Sequence, residues 1–239
     1  MTILEVARGV ALKVGLTVPT VLYASTTREL VELGECLNDT AQMVAFDCGH
    51  DWTTLKTLAT LTGDDVTLAF AKPSDYRRML KKSRMWPTAS PYSPLVHYTD
   101  TDQWLGLQVQ DFQPVVGAWT MIGDSIEVRI SGSTSPLASG DTVQFYYIST
   151  KYAASGAGTL KTSFTADDDT FRLNERLLKL ATIYKWKDAK GQDYSEPLAD
   201  YEAALAEQIG NDKGSRIIAV GQQRVPGGVE FAFPGTLGP

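Results

Sequence analysis

Trp119-Thr120-Met121-Ile122-Gly123-Asp124-Ser125-Ile126-Glu127-Val128-Arg129-Ile130 decides the fold class. Apolar Ile126, Val128 and Ile130 alternate with Glu127 and Arg129, the period of a half-buried strand. Gly123-Asp124 divides this run from Trp119–Ile122, and glycine accepts the positive φ of a tight turn, so the stretch predicts a β-hairpin. Around it, Leu105, Leu107 and Val109 alternate with Gly106 and Gln108, which predicts another strand. Gly140-Asp141 opens a further strand over 143–148, Ser155-Gly156-Ala157-Gly158 reads as a loop, and Phe164 is expected to close this β region.

The flanks carry the helical period instead. Ile3, Ala7, Val10 and Val14 share one face, and Gly15 and Pro19 end the run. A second helix is expected to start near 25–27, with the stripe Leu30, Leu33, Leu37, Ala41, Val44 and Cys48 and a stop at Gly49. Trp52, Leu55 and Ala59 suggest a third helix over 52–61. Residues 66–70 suit a short strand, and 75–80 suit one or two helical turns after Pro73. Three prolines in 87–94 mark a linker. Past Asp167-Asp168-Asp169, whose carboxylates suit a helix N-terminus, Leu173, Leu177, Leu180 and Tyr184 predict a helix ending at Gly191. Ser195-Glu196-Pro197 opens the last helix, with the stripe Leu198, Tyr201, Leu205 and Ile209.

These patterns predict an α+β chain: a bundle of four to five helices over 1–84 and 169–213, an inserted antiparallel β module over 104–165, and an extended C-terminal tail over 214–239. In that tail Ile217, Ile218 and Val220 lie before the break Pro226-Gly227-Gly228, and Val229, Phe231 and Phe233 lie after it. An extended end with alternating hydrophobes can add a strand to another subunit's sheet, or pack on its own domain.

Composition narrows the function. The 239 residues hold 22 Lys+Arg against 28 Asp+Glu, a net charge of −6. A general nucleic-acid binder needs the opposite sign to displace counterions. No apolar run reaches the ~20 residues that span a bilayer, and the start lacks a basic region and an apolar core for secretion. No membrane anchor is therefore expected, and synthesis is expected in the cytoplasm. Cys36 and Cys48 are the only cysteines, twelve residues apart in one helical stretch, so free thiols are expected.

Candidate chemistry is sparse. Cys48-Gly49-His50 with Cys36 and His97 has zinc-ligating atoms, but no paired C-x-x-C and no finger spacing. Asp167–Asp169 lacks the ligand spacing and glycine of a calcium loop. Gly156 and Gly158 make only half of a phosphate-binding fingerprint. Neither histidine stands in a nucleophile–base pattern. No catalytic residue, metal or cofactor is expected, and the chain reads as a non-enzyme. Arg77, Arg78, Lys81, Lys82 and Arg84 put five cations into eight residues. They form either a solvated face or, repeated around an oligomer, a ring of positive charge facing DNA or an acidic neighbour.

Several segments together resemble the head-to-tail adaptor (connector) proteins of tailed bacteriophages, the group with the tail tubular A-type proteins. They are Asp51-Trp52-Thr53-Thr54-Leu55, Phe70-Ala71-Lys72-Pro73-Ser74-Asp75-Tyr76-Arg77-Arg78-Met79, Ile122-Gly123-Asp124-Ser125-Ile126 and Thr142-Val143-Gln144-Phe145-Tyr146-Tyr147-Ile148. Then come Phe164-Thr165-Ala166-Asp167-Asp168-Asp169-Thr170-Phe171-Arg172-Leu173 and Trp186-Lys187-Asp188-Ala189-Lys190-Gly191-Gln192-Asp193-Tyr194. They span most of the chain and are structural rather than active-site signatures. The resemblance implies a homo-oligomeric ring, typically of twelve copies, beneath the portal protein in the virion neck. DNA passes through its lumen without sequence recognition, the C-terminal segment docks on the portal, and the next neck or tail component binds below. A stopper or tail-completion protein is the nearest alternative. A carbohydrate- or receptor-binding tail component is another, with Trp104, Trp119, Tyr146 and Tyr147 available to stack on sugars. A hydrolase comes third, for want of a catalytic constellation.

Overall fold

A computed structural model describes residues 1–81, 83–88, 93–109, 117–129 and 137–213. The fold is mixed α+β, with five α-helices and several sheets among the described residues. In chain order the elements begin with α1 (Ile3–Val14) and α2 (Arg28–Gln42), the latter followed by a π turn, Met43–Asp47. Then come β1 (Lys56–Thr62), β2 (Ala69–Ala71), β3 (Tyr76–Met79), β4 (Trp86–Pro87), β5 (Val96–His97) and α3 (Thr101–Val109). They are followed by β6 (Ala118–Ile122), β7 (Ser125–Arg129), β8 (Thr142–Ser149), β9 (Ala153–Ala154), β10 (Leu160–Lys161) and β11 (Thr170–Phe171). The last two are α4 (Glu175–Ala189) and α5 (Ser195–Lys213).

Local chemistry explains the helix ends. Thr2 and Glu5 form a reciprocal capping box at α1, and Gly15 closes it at φ 77°. The Asn174 side chain takes the first free amides of α4, those of Arg176 and Leu177. α4 packs against α1, α2 and α5. It is accordingly buried on more than one side, through Leu177, Leu178, Ala181, Tyr184 and Trp186. Its polar Thr182 is satisfied by the Leu178 carbonyl and by Thr40 of α2, 2.9 Å away.

Two main apolar cores follow. One lies among these four helices and also takes Tyr152, Phe164 and Phe171. The other lies between β-strands, around Met85, Leu95, Trp119, Ile126, Val143 and Phe145. In the second, β8 pairs with β1, β3 and β4, while β2, β7, β6 and β5 form another sheet. Gly63 sits where these strands close: a Cβ there would lie 2.2 Å from the Ala138 carbonyl oxygen, so no larger residue fits. The hairpin of β6 and β7 turns at Gly123, φ 55°, as its sequence requires.

Several local expectations are corrected. Residues 52–61 are one 3₁₀ turn, Thr53–Leu55, followed by strand β1. Lys-Thr-Leu-Ala-Thr-Leu-Thr is rich in β-branched threonine, and its inward residues are Ala59 and Leu61, a period of two. Within 75–80 the chain forms strand β3, Tyr76–Met79, because the Tyr76 amide closes a turn onto Pro73 and the chain then pairs with β8. Strand character therefore begins at Lys56, inside the segment expected to be helical to 84.

The expected strand at 105–109 is instead helix α3. The Asp100 carboxylate accepts from the Asp102 amide, and Trp104 and Leu107, three apart, face inward while Leu105 and Val109 are exposed. Phe164 belongs to the helical core, where it meets Tyr152 and Phe171 edge to face.

The three aspartates do not cap a helix either, since α4 begins later, at Glu175. Asp167 accepts from the amides of Leu22 and Tyr23, and its own carbonyl and that of Asp169 take the amides of Leu4 and Ile3. Fully buried Asp169 receives Lys161 Nζ at 2.6 Å and the amides of Thr165 and Ala166 on one oxygen. Its other oxygen has no partner among the described residues.

Asp169→Asn removes the charge that balances Lys161 and disturbs this turn. It is expected to lower unfolding free energy by about 3 kcal/mol, the lower end for breaking a buried pair because Lys161 is partly exposed. The urea midpoint, at unchanged m-value, checks this.

Candidate functional site

The five cations of 77–84 do not act as one field. Arg77 lies over the Phe46 ring, 4.1 Å from its centroid, and 3.9 Å from the Asp47 carboxylate. Arg78 is ion-paired with Asp51. Lys81 gives its amide to Asp51 and its Nζ to the Gly49 carbonyl at 3.3 Å. Burial would raise the Asp51 carboxyl, but Arg78 and Lys81 outweigh it and hold it below the ordinary carboxylate value. Strand β3 thus clasps the loop that ends α2. Arg84 is exposed and makes no hydrogen bond or ion pair with the described residues. Lys82 lies outside the described residues.

Arg84 stands at the lip of two open grooves. One, of about 580 Å³, has Tyr76, Met79, His97, Trp119 and Met121 in its walls. His97 lies flat on Trp119, 3.8 Å between ring centroids, which covers the indole face. The other groove, of about 520 Å³, holds Leu58, Trp86, Gln144 and Tyr146. Strand register explains it. Leu58 is opposite Tyr146, and Trp86 is opposite Gln144, so all four side chains leave the same sheet face. Their alternates Val143, Phe145 and Tyr147 fill the core behind. Leu58, Trp86 and Tyr146 remain 46, 49 and 53% exposed, a cluster rather than scattered singles.

Of the aromatics considered for sugar stacking, Trp104, Trp119 and Tyr147 are buried. Trp104 donates to Glu127 at 2.6 Å, and Tyr147 donates to Asp75 at 2.7 Å. Tyr146 alone of the four is exposed. Sequence reasoning misses Leu58 and Trp86, because it makes 52–61 a helix and places Trp86 at the edge of a linker. The strand alternation of Leu58 with Ala59 and Leu61 is the available signal.

His50 resembles part of a catalytic constellation but is wired differently. Its Nε2 donates to Asp212 at 2.7 Å, and the Thr53 hydroxyl and amide donate to the same carboxylate. The hydroxyl therefore meets the carboxylate rather than the imidazole, so the three groups do not line up as a hydroxyl–imidazole–carboxylate relay. The carboxylate instead ties the end of α5 to the chain entering β1. Burial would raise the Asp212 carboxyl, but hydrogen bonds from Thr53 and His50 outweigh it and hold it low.

Cys36 and Cys48 are free thiols, and burial pushes Cys36 up to about 11. No group of three or more His, Cys, Asp or Glu side chains able to hold a metal occurs among the described residues. No helix there is long and apolar enough to cross a membrane. Tail candidates Ile217, Ile218, Val220, Val229, Phe231 and Phe233 lie outside the described residues. The chain matches no protein-family model and no curated protein.

Two outcomes follow from these contacts. Arg78→Gln should destabilise by about 1–2 kcal/mol by leaving Asp51 underpaired, whereas Arg84→Gln should stay within about 0.5 kcal/mol of wild type; chemical denaturation separates them. A carboxyl held below its unfolded value is protonated first in the unfolded chain. The contribution of Asp212 should therefore be complete above about pH 4 and fade as pH falls further. Protection factors for hydrogen exchange in 205–213 should fall over that range, and less so in Asp212→Asn, which has already lost the charge.

Proposed function

We propose that the chain is a helical bundle carrying an inserted antiparallel β module and a C-terminal docking segment, and that it serves as a structural head-to-tail adaptor of a tailed bacteriophage. Several copies, typically twelve, would form a ring under the portal, with DNA passing through the lumen and the next neck or tail component bound below. The observation that carries this reading is the way the strand region leaves and rejoins the helices. Exit is through β1 and return through β8, paired from Lys56–Ile148 to Thr62–Thr142. Arg172 grips both chains at the helix-side end of this stalk, donating to the Thr54 and Lys151 carbonyls. A rigid stalk between a helical body and a strand module suits a part that holds two neighbours apart. The ordered segments quoted above, which resemble the adaptors, support the same reading. The location would be the virion neck, with no catalytic residue and no cofactor.

The test is electron microscopy of the chain mixed with the portal of the same phage. Rings seated beneath portals are expected, and absence of binding would overturn the reading. Alone at micromolar concentration the chain is expected to be mostly monomeric by light scattering, because many weak contacts combine only on the template. Deleting the residues after Gly214, or replacing Phe231 and Phe233 by Ser, should weaken portal docking and leave thermal unfolding nearly unchanged.

A further inference from the structure

We propose that the Leu58, Trp86, Tyr146 and Arg84 face is a subunit contact, and that its occupant is the groove between α2 and α4 of a second copy. As the lateral contact of a ring, it rests on the adaptor reading; as a self-association of the isolated chain, it is measured without any portal.

The first surface has the composition of an interface centre. Trp, Tyr and Arg dominate binding energy at protein contacts, and here they adjoin on a rigid sheet. Arg84 has no partner of its own among the described residues, so its charge is available to a neighbour. The second surface is its complement. A groove of about 390 Å³ runs along the outer side of α2 and α4, with Val31, Cys36 and Ala189 in its walls and Glu32, Glu35, Asp39 and Lys185 on its edge, three carboxylates against one ammonium. Glu35 and Asp39 are exposed, four residues apart on one helix face, and neither carboxylate makes a hydrogen bond or ion pair with the described residues. Glu32 beside them is already occupied by Arg28 and Lys190. An unpartnered cation among apolar side chains on one surface thus matches an unpartnered carboxylate pair beside an apolar groove on the other.

The two surfaces differ and lie on different elements, one on the strand module and one on the helices. Where each surface engages a different neighbour the contact is heterologous, and its repetition closes into a ring or runs on as a filament.

The experiment uses the full chain in three forms: wild type, Arg84→Glu, and Glu35→Lys/Asp39→Lys. Sedimentation velocity from about 10 µM to about 1 mM covers the range of weak self-association. Wild type should associate with increasing concentration. Each variant alone should associate about tenfold more weakly, since like charges then face each other. An equimolar mixture should recover association, because the introduced carboxylate of one variant meets the introduced ammonium groups of the other, while the remaining junction keeps its native pair. Far-ultraviolet circular dichroism of each variant confirms folding, and Trp86→Ala supplies a charge-neutral loss of the same contact. Wild-type association in Arg84→Glu, or a mixture that behaves as the sum of its parts, would overturn the proposal. A chain that stays monomeric throughout would overturn it too. Portal binding by such a monomer would show the adaptor reading surviving the loss of this contact.

Discussion

The turn from Phe164 to Arg172 holds the molecule together through groups that water would otherwise satisfy. Buried Asp169 concentrates three donors on one oxygen. That folds the turn so that carbonyls of Asp167 and Asp169 receive the first amides of α1, and the Asp167 carboxylate receives the loop before α2. Phe164 and Phe171 then enter the helical core from the same turn. A buried carboxylate is tolerable only when hydrogen bonds replace its hydration. The helices consequently depend on a polar knot at the edge of their apolar core.

One residue further on, Arg172 extends this dependence to the strands. Its two nitrogens hold the backbone just before β1 and just after β8. Asp75 braces the return strand from the other side, through the Tyr147 and Ser149 hydroxyls and the Thr150 amide. The clasp of Arg78 and Lys81 on the loop after α2 adds a third tie. Each tie includes a charged group, and together they join the helices to the β1–β8 pair.

Charge use along the chain follows from these ties. Arg77, Arg78 and Lys81 look like a free basic run in one dimension, yet each is drawn onto the 47–51 loop. Arg84 is left over and stands beside Trp86 and Tyr146. An acidic chain thereby retains a local cation where apolar surface is also exposed. That pairing has no role in either core, and binding is the physical use it suits.

The helices α1, α2, α4 and α5, the hairpin of β6 and β7, and strand β8 were legible in the sequence, because each carries its own period and its own stop signal. Tyr146 and the cations could be listed from the sequence, but their surroundings could not. Residues 56–62 and 76–79 became strands because β8 was there to pair with them. Residues 101–109 became a helix because Asp100 caps it and Trp104 and Leu107 face the packed side. Short segments of three to seven residues hold too few side chains to separate a period of two from one of 3.6. The aspartate triplet shows the same division. Its acidity was evident in one dimension, but the Asp167 carboxylate finds its partners more than a hundred residues away in Leu22 and Tyr23. Local periodicity determined α1, α2, α4, α5 and the hairpin of β6 and β7. Only the tertiary structure decided which strands share a sheet, which charges are spent inside the fold, and which face is left for a partner, because long-range pairing sets all three.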